Sequence, residues 1–537
     1  MKYRHRMFDP MHGLIATFFF FAASCTFADG IRGHDKNILS IRIRDEPETL
    51  DWNKAQTQVE TYLLMNLMEG LASYDGKMRV APALAKEWSI SDDERVYTFK
   101  LRRDVKWSDG VPLKAADFLY SWKRLLSPAT ASPYAYLLFD IENAEAFHKG
   151  IISDFSAVGI KALDDFTLKV KLVRAVAHWI HIPTFWVTFP LREDVIQKHG
   201  FSWDSPGRMV TLGPYLLSSR DIGIKVSLRS NPLYYGKKGN IDEVNAVIIK
   251  DDAVALRMYD EGKLDFLADL SSLDLSRIIK ARASGDFRVF PYLKTQYLAF
   301  VVNKYPSSSL RLRRAVAMAV DKNAIIDSLK GGQVAAASFV PPGLFAHARD
   351  IGLPYDPSLA RSELRASGLD LSVGIKLEVL LPNWDRSLIV ARAIQEQLKK
   401  NLKLDVLLQP FENKSFRSKL GMQMFPLFHL GWGADYPDPD SFMSVFLSSS
   451  GTNYSGWKNE KYDELVLAAR NGPARDVKKR SRLYFEAQKI LIEEQAVVVP
   501  LYYEHNHALI KPHVKGIELN PLNYLILRDV RIVNPSR

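Results

Sequence analysis

Three segments in the C-terminal half constrain the fold most. Ile375 to Leu381 is an apolar run of strand length. Leu388 to Leu398 places Leu388, Ala391, Ile394 and Leu398 on one helical face, and Leu404 to Leu408 is a second apolar run. Strand, helix and strand within about 35 residues argue for a right-handed crossover and a parallel pair. The lobe that holds them is therefore of the α/β kind.

The rest of the chain reads in the same way. Ile38 to Arg44 alternates apolar and polar and predicts a strand. Val59 to Leu71 has helical spacing in Tyr62, Leu63, Met65, Leu67 and Met68. Tyr97 to Leu101 is a second alternating strand, and Ala115 opens a helix that runs through Trp122. Leu483 to Ile492 is amphipathic, and Val497 to Tyr503 is an apolar strand after it. A length of 537 residues corresponds to about three or four domain-sized units. There are no internal repeats and no low-complexity tracts. The formal charge of +11 is scattered, with no basic run and no RNA-type motif, so it describes a diffuse basic surface and argues against nucleic-acid binding.

The N-terminus reads as an export signal over residues 1–28. Lys2, Arg4 and Arg6 precede an almost wholly apolar stretch, Gly13 to Phe27, too short for a comfortable membrane span. Two exits compete. Thr26-Phe27-Ala28 has the small-x-small form of ordinary cleavage. Ala22-Ala23-Ser24-Cys25 has the form of a lipobox, with Ala22 where Leu is usual, and makes Cys25 a candidate for lipidation. Cys25 is the only cysteine, so a disulfide or a catalytic thiol is not expected.

One further stretch has the character of a binding site. Phe425 to Leu430 is an apolar strand that runs into Gly431, Trp432 and Gly433, and Asp435 follows before the chain turns at Pro437 and Pro439. Glycines let a ligand's backbone approach, Trp432 offers a flat apolar wall, and a carboxylate at a strand end is where α/β lobes hold ligands. The competing reading is a plain turn, since Asp and Pro are turn formers. Asp435, Asp438 and Asp440 lack the Gly and distal Glu of a calcium loop, so no metal is expected. No Gly-x-Ser-x-Gly or His-Glu-x-x-His motif is present, and no enzymatic role and no cofactor are expected.

A longer pattern decides between these readings. Leu84-Ala85 with Trp88, the Asp92-Asp93 turn, Tyr97-Thr98-Phe99 and Leu101-Arg102 follow one another in order. Val105-Lys106-Trp107-Ser108-Asp109-Gly110, Asp117-Phe118 and Ser121 to Leu125 continue it. This run resembles the signature region of the bacterial extracellular solute-binding proteins that serve peptide ABC transporters, the oligopeptide- and dipeptide-binding family. Leu212-Gly213-Pro214-Tyr215, Asn231 to Tyr235, Leu312 to Lys322 and Trp457 to Leu465 extend the resemblance from about residue 38 to near the C-terminus.

The resemblance implies a two-lobed periplasmic-binding-protein fold with a hinge. Mapped here, the first lobe is 36–74 with 190–290 and 500–537, an inserted subdomain is 75–189, and the second lobe is 291–499. The hinge crossings fall near Val289–Tyr292 and Val499–Tyr502. The implied function is capture of extended oligopeptides between the lobes and delivery to an inner-membrane permease and ATPase complex, by a monomer in the periplasm, lipid-anchored if Cys25 is acylated. Trp432-Gly433-Ala434-Asp435-Tyr436 matches the family's motif, so Asp435 takes the ligand's amino terminus and Gly431 and Gly433 take its main chain. Gln56, Thr57 and Gln58 correspond to the opposing wall. His429 stands where relatives often carry an Arg for a ligand carboxylate; a packed strand residue is the other reading. Tyr134 and Tyr136 either line the cleft or pack in the core. Dipeptides, metal complexes or modified peptides, and an adhesin or chaperone role, are the alternatives.

Overall fold

The computed structural model describes residues 36–268, 282–372 and 374–533. Cys25 and the expected signal segment lie outside them. The crossover read from the sequence is present. Lys376–Pro382 and Asp405–Phe411 pair in parallel, from Lys376 opposite Asp405 to Pro382 opposite Phe411, with helix Asp385–Leu402 between them. Val390, Ile394 and Leu398 of that helix are buried with Leu377 and Val379 of the strand.

These strands belong to an eleven-stranded sheet whose centre is two long antiparallel strands, Phe287–Phe300 and Val498–Ile510. Leu427–Gly433 joins one edge of this pair and leads to the crossover unit. On the other side come Phe266–Ala268, Ile38–Ile43, Glu243–Ile248, Lys225–Ser230 and Tyr215–Asp221. The long strands thus reach both halves of the sheet, and their register shifts between Pro291 and Thr295.

A separate four-stranded antiparallel sheet holds Ala85–Ile90, Val96–Leu101, Thr167–Lys171 and Ile160–Asp164. Helix Ala115–Leu126 contributes Phe118, Trp122 and Leu125, fully buried, to the adjoining core. The Trp107-to-Asp117 part of the signature has a local cause. Asp117 Oδ2 accepts the Lys114 N–H at 3.0 Å and the Trp107 Nε1–H at 3.0 Å, which starts the helix and pins the preceding turn. Gly110 closes that turn at φ +89°, a conformation that disfavours a side chain.

Several element ends differ from the sequence reading, among them the helix read over Val59 to Leu71, which ends at Leu67; two strand ends bear on the site. The strand expected to stop at Leu430 continues to Gly433, because Gly431, Trp432 and Gly433 pair with Gln296, Thr295 and Lys294. The strand expected to stop at Tyr503 runs to Ile510 through polar Glu504 to His507, since Phe287–Pro291 supplies partners for its second half. Among the described residues no helix is long and apolar enough to cross a membrane.

Candidate functional site

Strand Leu427–Gly433 turns alternate residues to opposite faces. Phe428, Leu430 and Trp432 pack against the main core. His429, Gly431 and Gly433 face the other way, over Leu298, Gln296 and Lys294 of the neighbouring strand. Just past its end the chain is fixed by the Ala434 N–H on Leu293 O (2.8 Å) and the Asp435 N–H on Ser441 Oγ (2.9 Å). The Asp435 side chain then points into a pocket of about 180 Å³.

The opposite wall is Gln56, Thr57, Gln58 and Thr61. Thr57 caps helix Gln58–Leu67, and Glu60 completes a capping box. Glu60 is buried and its carboxylate accepts the backbone N–H of Glu48 (3.0 Å), Thr49 (3.2 Å), Gln56 (2.6 Å) and Thr57 (2.8 Å). One side chain therefore folds the whole 48–57 loop against the pocket. The remaining lining is mostly aromatic, from Phe185, Trp186, Tyr292 and Tyr524, with Leu522 and Gly433–Ala434 beside them.

Asp435 is, among the described residues, the only acid in that lining. Among the described residues no cation pairs with its carboxylate and no donor bonds to it. Burial alone pushes its carboxyl up to about 6. At neutral pH the group is ionised and uncompensated, at one end of a slot with aromatic rings on one wall and Gln and Thr side chains on the other. A buried lone charge is costly, and a cationic ligand removes the cost.

Thr57, Gln58 and Tyr292 also line a second, larger cavity of about 820 Å³. Its floor is polar. Glu504 is buried and holds Arg386 Nη1 at 2.5 Å and Gln296 Nε2 at 2.8 Å. Burial opposes the Glu504 charge, but Lys294 and Arg386 outweigh it and keep the carboxyl below the ordinary glutamate range. Across the cavity Arg42 and Arg44 share Asp252 Oδ1 at 2.6 and 2.7 Å. Trp384, half exposed, stands where helix Asp385–Leu402 begins.

The structure brings Asp435, Gly433, Gln56, Thr57 and Gln58 into one pocket and places the other candidates elsewhere. Trp432 is not a pocket wall: it lies on the core face, and its Nε1–H donates to Ser441 O at 2.6 Å. Phe185 and Trp186 supply the aromatic surface instead, their rings stacked at 3.9 Å. Gly431 lies against the Gln296 side chain, whose Nε2 a Cβ there would meet at 2.6 Å. His429 is 2% exposed, with neither ring nitrogen hydrogen-bonded, and burial lowers it to about 4, so it is a neutral strand residue and no carboxylate clamp. Tyr436 is buried on the far side, against His178. Tyr134 packs on Phe185 (5.5 Å) and Trp186 (5.6 Å), behind the wall. Tyr136, half exposed, lies 6.2 Å from Tyr134.

Sequence reasoning missed Tyr292, Tyr524 and the Lys294–Glu504–Arg386 group. Only the capping box, Thr57-x-x-Glu60, carried a local signal. Asp438 and Asp440, read from the sequence only as part of a turn, are buried: Arg480 clasps Asp438 with Nη2 at 2.8 and 2.9 Å, and Asp440 accepts the Tyr436 and Tyr484 hydroxyls. Among the described residues no cluster could hold a metal ion.

Comparison with known proteins agrees with this architecture. The chain is 33% identical over 498 residues to the probable deoxycholate-binding periplasmic protein YgiS of Escherichia coli, covering 91% of this chain and 92% of that one. It is 31% identical over 531 residues to the periplasmic oligopeptide-binding protein OppA of Salmonella typhimurium, covering 95% and 96%. The structure of Haemophilus influenzae OppA in complex with the peptide RPPGFSPFR superposes with a TM-score of 0.77 at 27% identity, covering 93% and 99%. It is a two-lobed binding-protein fold. The family model described as bacterial extracellular solute-binding proteins, family 5 Middle, matches residues 79–454, and the chain belongs to that family.

Proposed function

We propose that this protein is the substrate-binding component of an ABC-type peptide importer. It takes extended oligopeptides between two lobes, works in the periplasm as a monomer, and hands its ligand to a membrane permease and ATPase complex. The observation that carries this reading is Asp435: an ionised, largely buried carboxylate with no protein cation among the described residues, facing a slot walled by aromatic rings and by Gln56, Thr57 and Gln58. A peptide's ammonium supplies the missing charge, and its main chain runs along Gly433 and the Thr57 wall. Its far end enters the adjoining cavity, where Lys294 and Arg386 meet the terminal carboxylate. Relatives named for oligopeptide binding, one seen with a nine-residue peptide, support the ligand class. Deoxycholate, the ligand in another relative's name, has no amine to offer Asp435. No chemical step on the ligand is proposed.

Calorimetry with trialanine, N-acetyl-trialanine and deoxycholate tests the reading. Trialanine binds, and acetylation weakens binding about 100-fold or more, because a stranded buried charge costs about 3 kcal/mol. Equal affinity for the two peptides removes Asp435 as an ammonium anchor. Binding of deoxycholate alone replaces the peptide reading.

A further inference from the structure

The four-stranded sheet stands apart from the pocket, yet the chain leaving it is fastened to the half of the molecule that carries Asp435. The Ala177 N–H donates to Arg470 O at 3.1 Å, and Arg174 Nε donates to Asn471 Oδ1 at 2.9 Å. The Ala474 N–H donates to Glu94 Oε2 at 2.7 Å, with Arg475 Nε 3.5 Å from Glu94 Oε1. His178 reaches deepest. Its ring lies on that of Tyr436 with centroids 4.6 Å apart and planes 6° from parallel, and its Nδ1 is 3.5 Å from Asp440 Oδ2. His178 is 3% exposed and Asp440 is fully buried.

Tyr436 follows Asp435 directly in the chain, and the two side chains face opposite ways. Asp435 faces the ligand pocket; Tyr436 faces His178 and donates its hydroxyl to Asp440 Oδ2 at 2.9 Å. Arg470 Nε sits 3.7 Å from that same oxygen. These charged and aromatic groups are dry only while the 174–178 segment covers them. If the halves of the molecule part, the stack is lost and water reaches Asp440 and Arg470. Docked and parted arrangements are then two discrete states rather than a continuum.

We infer that the inserted subdomain is a latch on the ligand anchor, with His178 and Tyr436 as positioning residues that hold Asp435 in the closed arrangement without touching the ligand. The inference rests on Asp435 being the ammonium anchor. A latch of this kind acts on release more than on capture, since affinity differences within one interface lie mostly in the dissociation rate.

Stopped-flow release of trialanine from the full chain tests it, with solution scattering of the same proteins free of peptide. Three variants are needed: His178→Ala, His178→Phe, and the rim pair Glu94→Ala with Arg174→Ala, which leaves the buried cluster whole. His178→Ala and the rim pair speed release about tenfold with association changed far less. His178→Phe, which keeps a ring on Tyr436, recovers most of the loss, and the first two proteins are more expanded without peptide. A lowered melting temperature with release rates equal to wild type in every variant overturns the latch and leaves His178 a packing residue. If His178→Ala does not fold, the rim pair decides alone. If wild type binds no peptide, the anchor reading fails separately, and scattering still decides: expansion of the rim pair supports the latch, and unchanged compactness overturns it.

Discussion

Asp435 is built at a cost to the protein that holds it. Its carboxyl, ordinarily near 3.8, is raised to about 6 by burial, so the folded state prefers it protonated. The stability this gives is present below about pH 4 and is lost as pH rises through 6. Asp435→Asn removes the charge while keeping the shape. Without peptide, the variant should melt with wild type at pH 4 and about 1–2 °C above it at pH 8, from about 2 kcal/mol of relieved desolvation. Added trialanine should raise the melting temperature of wild type and not of the variant. Thermal scans at the two pH values check both parts. A ligand-binding group of this kind is expected to trade stability for affinity.

At the scale of elements, the pocket wall opposite Asp435 is a helix start. Helix Gln58–Leu67 begins where it does because Thr57 and Glu60 form a capping box, and Glu60 also gathers the N–H groups of Glu48 and Thr49. Buried backbone donors left without an acceptor cost about 1–3 kcal/mol each. Glu60→Ala should therefore loosen the 48–57 loop, speed hydrogen exchange at its amides, and weaken peptide binding about tenfold although Glu60 does not line the pocket. Exchange mass spectrometry and calorimetry read the two effects. Thr57-x-x-Glu60 has the capping-box pattern, although the sequence reading takes only the helical spacing that follows it. The Glu60 contacts to residues 48 and 49 were not legible, because they depend on how the loop folds back.

At the scale of the molecule, both halves of the large sheet hang on Phe287–Phe300 and Val498–Ile510, and the register shift between Pro291 and Thr295 lies beside the pocket residue Tyr292. Among the described residues these two strands alone join the halves of the sheet, and irregular pairing there is where bending costs least. Binding of peptide should close the lobes about this place and lower the radius of gyration in solution scattering. Identical curves with and without peptide would reject hinge closure. The family resemblance implies crossings near Val289–Tyr292 and Val499–Tyr502; the depth of Val498–Ile510 in the sheet was not legible, since its polar second half looks like a loop until its partners are known.

By itself the sequence determined the crossover unit at Lys376–Phe411, the family signature from Leu84 to Leu125, and the single carboxylate at Asp435. Each is local: a periodicity, an ordered set of residue types, a charge at a strand end. The tertiary structure alone decided which side of the strand faces the pocket. Alternation sends Trp432 into the core, and pairing carries the strand on to Gly433, so that Asp435 opens on the pocket while Tyr436 turns to His178. It also decided that Asp438 and Asp440, legible only as turn residues, lie buried against Arg480, Tyr436 and Tyr484. Burial and partnership across hundreds of residues set those outcomes, and no window of neighbouring residues contains them.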